Sequence, residues 1–192
     1  DVNINKASGT LTLSGTIRTT NDWTYTAGTI DATTNDSTVV FGATDLAITG
    51  SHTLDNVQFN GGNTINYTFA NSNTLTVAGT LTLTDGLIDQ TTIPSTGSIA
   101  AQGAITQAST FDGGTGRIEI TGTAAQTFTG SATTTAGTLP DIEIDKSGGT
   151  LTLSGTIRTT NDWTWTAGTV DATTNDSTVV FGATDLAITG SH

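Results

Sequence analysis

Apolar and polar residues alternate in short runs along the whole chain. In residues 2–5 (VNIN) and 10–13 (TLTL), every second side chain is apolar. A period of two is typical of a β-strand that has one buried and one exposed face. Gly, Asn, Asp or Ser separates nearly all of these runs, and these residues favour tight turns. The pattern therefore predicts an all-β protein built from many short strands, with little or no helix.

A long internal repeat indicates how these strands are arranged. Residues 1–52 align with residues 141–192 at an offset of 140, and 45 of the 52 positions are identical. The differences exchange apolar for apolar side chains, as in Val2/Ile142, or polar and small ones for each other. Inward-facing and outward-facing positions of a strand are expected to differ in this way.

The 140-residue unit itself contains a fainter similarity. The run LDNVQF at residues 54–59 answers LPDIEI at residues 139–144. We interpret the unit as two half-repeats of unequal length, at about residues 37–115 and 116–176. Residues 90–112 match poorly, so we expect an irregular coil or loop there.

A stack of coils explains the repeat better than a sandwich or a barrel, because stacking gives each copy nearly the same environment. We therefore predict that residues 1–192 form a single continuous right-handed parallel β-helix, or β-solenoid. It would have about three strands in each coil of about 20–25 residues, and about eight or nine coils that each rise ~4.8 Å. The inward positions that we expect to stack between coils include Val2, Ile4, Leu11, Leu13, Ile48, Val57, Phe59, Leu81 and Leu83.

Composition and charge favour a repetitive, exported protein. Thr accounts for 48 of the 192 residues and Gly for 23, whereas Cys and Met are absent. The formal net charge of -12 argues against nucleic acid or an anionic membrane as a partner. No apolar run approaches the ~20 residues that span a bilayer, so we expect no membrane insertion. We expect an extracellular or cell-surface location in a bacterium, and a natural chain that continues beyond Asp1 and His192, because both lie inside a repeat.

Four Asn-Asp pairs at predicted corners offer oxygen ligands for a metal ion. Carboxylate and amide oxygens suit calcium if adjacent coils align them. The same residues favour turns through local hydrogen bonds alone, and this interpretation explains them equally well. Calcium is the one cofactor that the sequence leaves open. The candidate ligands are Asp22, Asp36, Asp162 and Asp176.

The lysines and histidines have a structural interpretation. Lys6 and Lys146 lie in glycine-serine turns, where we expect solvated lysines rather than isopeptide cross-links. His52 and His192 are copies of one repeat position, which is typical of a structural residue. We identify no signature of a catalytic or cofactor-binding site.

The three tryptophans would either stack on a sugar or pack in the core. Two of them fall at positions that Leu81 and Leu83 occupy in the other half-repeat, so core packing is favoured. The residues are Trp23, Trp163 and Trp165.

Residues 116–130 (GRIEITGTAAQTFTG) and 139–172 (LPDIEIDKSGGTLTLSGTIRTTNDWTWTAGTVDA) resemble tandem repeats of giant bacterial surface proteins. In those repeats, a segment of the form GTVTFNGTGAQTI precedes a strand pair of the form NLTINKSGGTLTL. Through both half-repeats, the resemblance covers nearly the whole chain. It implies a right-handed parallel β-helix in a secreted adhesin, stalk or filament, and it implies no catalytic residues.

Three classes of function follow as hypotheses. The leading one is a rigid segment of an extracellular bacterial surface fibre, stalk or adhesin, without catalysis, whose partners are further copies of the repeat in the same chain or in neighbouring subunits stacked end to end. The second is an ice- or polysaccharide-binding β-solenoid that uses Thr-x-Thr pairs such as Thr10/Thr12 and Thr82/Thr84. The third, a sugar-cleaving β-helix enzyme, needs grouped carboxylates and basic residues, and 5 Lys and Arg spread along the chain do not favour it.

Overall fold

The computed structural model describes residues 1–42, 44–62, 64–90 and 97–191. Over these ranges the chain is an all-β parallel β-solenoid of about eight coils, and no helix occurs in them. The same ranges accordingly contain no helix that is able to cross a membrane. The predicted fold class is confirmed.

Nineteen strands lie in the described ranges. Most are short because a turn residue ends each alternating run, whereas β16 bends round its corners at Gly149 and Gly155, which have positive φ angles of 65° and 68°. The strands are β1 (Val2–Thr12), β2 (Thr16–Thr19), β3 (Trp23–Asp31), β4 (Thr38–Phe41), β5 (Leu46–Thr49), β6 (His52–Leu54), β7 (Asn56–Asn60), β8 (Asn66–Phe69), β9 (Thr74–Val77), β10 (Leu81–Gln90), β11 (Ser98–Ala101), β12 (Ile105–Gln107), β13 (Phe111–Gly113), β14 (Arg117–Ile120), β15 (Gln126–Ser131), β16 (Asp141–Thr159), β17 (Trp163–Asp171), β18 (Thr178–Phe181) and β19 (Ile188–Thr189).

The strands form three faces, and strands of adjacent coils pair in parallel on each face. Side chains at paired positions therefore stack in columns along the axis. The first face carries Val2, Trp23, Ile48 and Phe69; the second carries His52, Leu75, Ile99, Ile118, Ile142, Trp163 and Ile188; the third carries Ile17, Val39, Val57, Leu81, Ile105, Phe128 and Leu153.

Coil length varies along the stack. Val39 pairs with Val57, which defines a coil of 18 residues, whereas Gly86 pairs with Phe111, which defines a coil of 25 residues. The expectation of an irregular segment at residues 90–112 is wrong for its described part, because β11 and β12 continue the second and third faces. The sequence pattern did not reveal β11, because all four of its side chains are buried and polar and apolar positions therefore do not alternate.

The 140-residue repeat does not span a whole number of coils. Six strand pairings along the first face lead from Val2 to Thr138. They are Val2/Trp23, Trp23/Ile48, Ile48/Phe69, Tyr67/Ile88, Leu87/Gly113 and Asp112/Thr138. Ile142 is the repeat counterpart of Val2, yet it pairs with Ile118 on the second face. Each repeat thus covers six coils plus one face. The second copy is turned by one face about the axis.

The predicted inward positions form the core. Seven of the nine are at most 7% exposed, namely Ile4, Leu13, Ile48, Val57, Phe59, Leu81 and Leu83. Val2 and Leu11 are only partly buried, because no described strand covers that side of the first coil. Their counterparts Ile142 and Leu151 are 1% and 0% exposed, since a preceding coil covers them.

The same edge-to-face contact between two aromatic rings occurs in both copies of the repeat. The rings of Trp23 and Phe41 meet edge to face at 5.8 Å, and those of Trp163 and Phe181 do so at 6.1 Å. Trp23 and Trp163 are buried, which confirms core packing for these two. Trp165 is partly buried and donates a hydrogen bond from Nε1 to the Gly168 carbonyl at 3.1 Å.

Candidate functional site

Lys146 lies at the centre of a polar cluster between coils. In this part of β16 the register with β17 shifts, and the Lys146 Cβ lies over Gly168. A Cβ at position 168 would lie 2.6 Å from the Lys146 Cβ, so only glycine fits there. Lys146 is 2% exposed. The expectation of a solvated lysine is therefore wrong for this residue, because the turn of the preceding coil covers it.

Carbonyl oxygens, and no carboxylate, accept the hydrogen bonds of Lys146. Its Nζ donates to the Gly122 carbonyl at 2.7 Å, to the Ala124 carbonyl at 3.0 Å and to Oε1 of Gln126. These three acceptors match the three protons of an ammonium group. Burial lowers the pKa of Lys146, because removal from water disfavours its charged form.

Gln126 extends this cluster across one more coil. It is buried, and its Nε2 donates to the carbonyls of Ala101 at 3.1 Å and Gly103 at 2.9 Å. We call Lys146, Gln126 and their bonded carbonyls the Lys146 cluster. Its hydrogen bonds join three successive coils at one corner of the stack.

Lys6 occupies the same repeat position as Lys146, but no described coil covers it. Its Cβ lies over Gly28 as that of Lys146 lies over Gly168. Lys6 is partly exposed, and among the described residues it has no hydrogen-bond or ion-pair partner. One sequence thus produces two environments. The sequence alone did not predict the Lys146 cluster, because the hydrogen-bond acceptors belong to residues 122–126, which lie one coil earlier in the chain.

Arg158 makes a second polar contact with the preceding coil. Its guanidinium donates from Nη1 to the Gly137 carbonyl at 2.9 Å and from Nε to the Thr134 carbonyl at 3.3 Å. The buried Gln107 reaches over Gly130 and bonds both the backbone N–H and the carbonyl of Arg158, at 3.1 and 2.9 Å. Buried amide groups thus serve as strand partners where glycine leaves space.

The four calcium candidates lie at separate corners, and the carboxylates of Asp22, Asp36 and Asp162 accept hydrogen bonds from protein groups. Oδ1 of Asp22 accepts the Ala47 N–H at 2.8 Å, and Oδ1 of Asp162 accepts the Ala187 N–H at 2.7 Å. The two carboxylates occupy the same repeat position, and each binds the backbone at the start of a strand in the next coil.

The other two candidates sit in turns. Asp36 and Asp176 have positive φ angles of 50° and 48°, and Oδ1 of Asp36 accepts a hydrogen bond from Nδ2 of Asn56 at 2.9 Å. Burial, reinforced by the charge of Asp36, raises the pKa of Asp55 beside it. Over the described ranges, no three acidic, histidine or cysteine side chains group as metal ligands would.

His52 is a buried partner of Trp23. Nε1 of Trp23 donates to Nε2 of His52 at 3.0 Å, and Nδ1 of His52 lies 2.8 Å from the Gly50 carbonyl. The imidazole is therefore neutral, with its proton on Nδ1. Burial lowers the pKa of His52, although the Gly50 carbonyl partly opposes this effect. His192, the other copy of this position, lies outside the described residues.

A shallow groove follows the corner beside the Lys146 cluster. It has a volume of about 240 Å³ and is lined by Ala78, Gln102 and residues 121–124. The Thr121 hydroxyl is buried beside it without a hydrogen-bond partner. No charged side chain lines the groove.

Comparison with known proteins identifies no family for the chain. No protein-family profile, curated protein or solved structure matches the chain significantly.

Proposed function

We propose that the chain is a structural repeat segment of an extracellular bacterial surface fibre, stalk or adhesin, in which it acts as a rigid rod without catalysis. One observation carries this proposal. The second-face column that begins at His52 continues through Ile142 into the second copy of the repeat and on to Ile188. A unit that continues the columns of the unit before it can be added repeatedly with the same cross-section.

Stiffness would follow from the way in which the coils are joined. Backbone hydrogen bonds run along the axis on three faces, and the buried side chains of the described coils form one continuous hydrophobic core. The outward Thr, Asn and Asp side chains keep such a rod soluble, as does the net charge of -12. Its partners would be further copies of the repeat, in the same chain or in neighbouring subunits stacked end to end.

The dimensions of longer chains test the rod. Chains with one, two and three repeats should lengthen by about 30 Å for each added repeat, at ~4.8 Å for each coil. Small-angle scattering measures this length, and the cross-sectional radius should stay constant. A maximum dimension that hardly grows while the cross-section widens would contradict the proposal.

The proposed location needs a separate experiment. Antibodies raised against this chain should label intact, unpermeabilised cells of the organism that produces it. Labelling only after permeabilisation would contradict the surface role and leave the rod geometry untouched.

Binding to ice or polysaccharide is a second candidate function, which a short rank of threonines favours. Thr82, Thr106 and Thr129 pair in successive coils and project outward from the third face. Gln58 and Ser154 interrupt this rank at its two ends. Because the repeat turns by one face, the rank of the next copy would lie on another face. Thermal hysteresis and retention on polysaccharide columns test this candidate, and a Thr106→Lys variant should abolish either activity.

A further inference from the structure

The two copies of the repeat differ in what covers their first coil. Residues 117–131 cover the N-terminal side of residues 141–156, through pairs such as Ile118/Ile142 and Phe128/Leu153. Residues 2–19 repeat this covered sequence, and they pair only with the following coil over the described ranges. We call their uncovered side the N-terminal edge.

We propose that the N-terminal edge is a docking surface for one coil, with the sequence of residues 112–140, from a neighbouring repeat. The inference rests on the proposed architectural function and deepens it by naming the partner coil and its contacts. The covered second copy in this same chain is the template for the interface.

Apolar contacts form the first part of this template. Val2 and Leu11 at the edge are only partly buried, whereas Ile142 and Leu151 are almost fully buried beneath the covering coil. Each edge residue is apolar and of similar size to its counterpart, so the same coil fits over both copies.

Two cations form the second part. Lys146 and Arg158 donate hydrogen bonds to five acceptors on residues 122–137. Their counterparts Lys6 and Arg18 are present at the edge, and they have no hydrogen-bond or ion-pair partner among the described residues. A carbonyl-rich turn would satisfy both cations.

A third contact fixes the register. Nδ2 of Asn161 donates to the Leu139 carbonyl at 2.7 Å. The Thr159 hydroxyl, which donates to the Asn161 carbonyl at 3.1 Å, lies 3.4 Å from the same Leu139 oxygen. Asn21 and Thr19 hold these repeat positions at the edge. Lys146, Arg158, Thr159 and Asn161 therefore all have identical counterparts on the first copy. Glu143, which binds Arg117 of the covering coil at 3.1 Å, is the exception, because Asn3 holds its position.

A second whole copy of this chain fits the edge less well. Its outermost strands would be β18 and β19, and Gly182 to Ser191 contain no turn that resembles residues 122–126. Such a copy would therefore leave Lys6 without its acceptors.

The test adds a covering coil to the full chain. Residues 112–140 are fused before Asp1, so that Pro140 precedes an aspartate as it does at Asp141. Lys6 acylation by an amine-reactive ester is then followed by mass spectrometry. We expect it to slow by about tenfold or more relative to the original chain, because the reaction would then require local opening. Lys146 is the internal reference for a covered lysine.

Two matched variants make the result specific. An extension of scrambled sequence should leave Lys6 as reactive as in the original chain. A Gln126→Leu change made only in the added coil should restore part of the reactivity, because it removes one acceptor of the ammonium group.

Three results would overturn the inference. They are unchanged Lys6 reactivity in the extended chain, equal protection by the scrambled extension, and protection of Lys6 by self-association of the original chain, which would make a second copy the occupant. Scattering on the same samples separates this inference from the proposed function: a reactive Lys6 in a chain that still lengthens as a rod contradicts the docking contacts alone.

Discussion

The indole N–H of Trp23 donates to Nε2 of His52 across a corner of the solenoid, at 3.0 Å. The bond requires a neutral imidazole, and burial lowers the pKa of His52 below its usual 6.5. The unfolded chain therefore takes up this proton at a higher pH than the folded chain does. Stability from this site is present above pH 6.5 and is lost as the pH falls through the folded-state pKa.

Thermal unfolding between pH 7.5 and pH 5 should show this loss. In the His52→Gln variant, the decrease in Tm over this interval should be smaller, because no imidazole remains to be protonated there. A His192→Gln variant keeps the site and should retain the full dependence. An identical pH profile for wild type and His52→Gln would contradict the role of this hydrogen bond.

Replacing Lys146 by Met should destabilise the protein. The change leaves the Gly122 and Ala124 carbonyls and Oε1 of Gln126 without their donor, and an unsatisfied buried polar group costs about 1–3 kcal/mol. Urea unfolding measures the shift. Lys6→Met is the matched control at the same repeat position, and it should change stability by less than about 0.5 kcal/mol because Lys6 has no such partners. Equal effects would show that the Lys146 cluster contributes nothing specific.

Tyr67 should ionise only in strong alkali. Burial raises its pKa to about 12, and its hydroxyl donates to the Phe41 carbonyl at 3.1 Å. The unfolded chain loses this proton near pH 10, so stability should fall as the pH rises from 10 towards 12. The chain has two tyrosines, and a Tyr25→Phe variant leaves Tyr67 as the only one. Absorbance titration of that variant should give a midpoint near 12, which returns to about 10 in urea; a midpoint near 10 in the folded state would contradict the buried site.

Calcium removal should leave the Tm unchanged. Asp22 and Asp162 accept backbone N–H groups, and an asparagine oxygen accepts them equally well. Asp22→Asn should therefore be tolerated, whereas Asp22→Ala should cost about 1 kcal/mol through the lost hydrogen bond. A Tm that falls on addition of EDTA, together with an Asp22→Asn variant as damaged as Asp22→Ala, would show a metal role.

The strands and the stacked columns could be predicted from sequence because most inward residues pair with another apolar residue one coil later. Val57 and Leu81 are an example: both are apolar, both lie inside alternating runs, and they pair on the third face. Such local patterns depend only on the two faces of a strand.

The rotation of the repeat and the burial of Lys146 could not be predicted in this way. Coils of 18 and 25 residues occur in the same stack, so an offset of 140 does not reveal on which face Ile142 lies. The surroundings of Lys146 depend on which turn precedes it. Lys6 has the same position in the repeat and is partly exposed.

Distances between spin labels along the second face test the stacked architecture most directly. Thr53 is joined to Thr164 by five successive strand pairs and to Thr189 by six, through Thr76, Ala100, Glu119 and Glu143. The chain has no cysteine, so labelled cysteine pairs at positions 53/164 and 53/189 are unambiguous. The stack predicts label separations of ~24 and ~29 Å, which differ by one strand spacing. A 53/189 distance equal to or shorter than the 53/164 distance would contradict it.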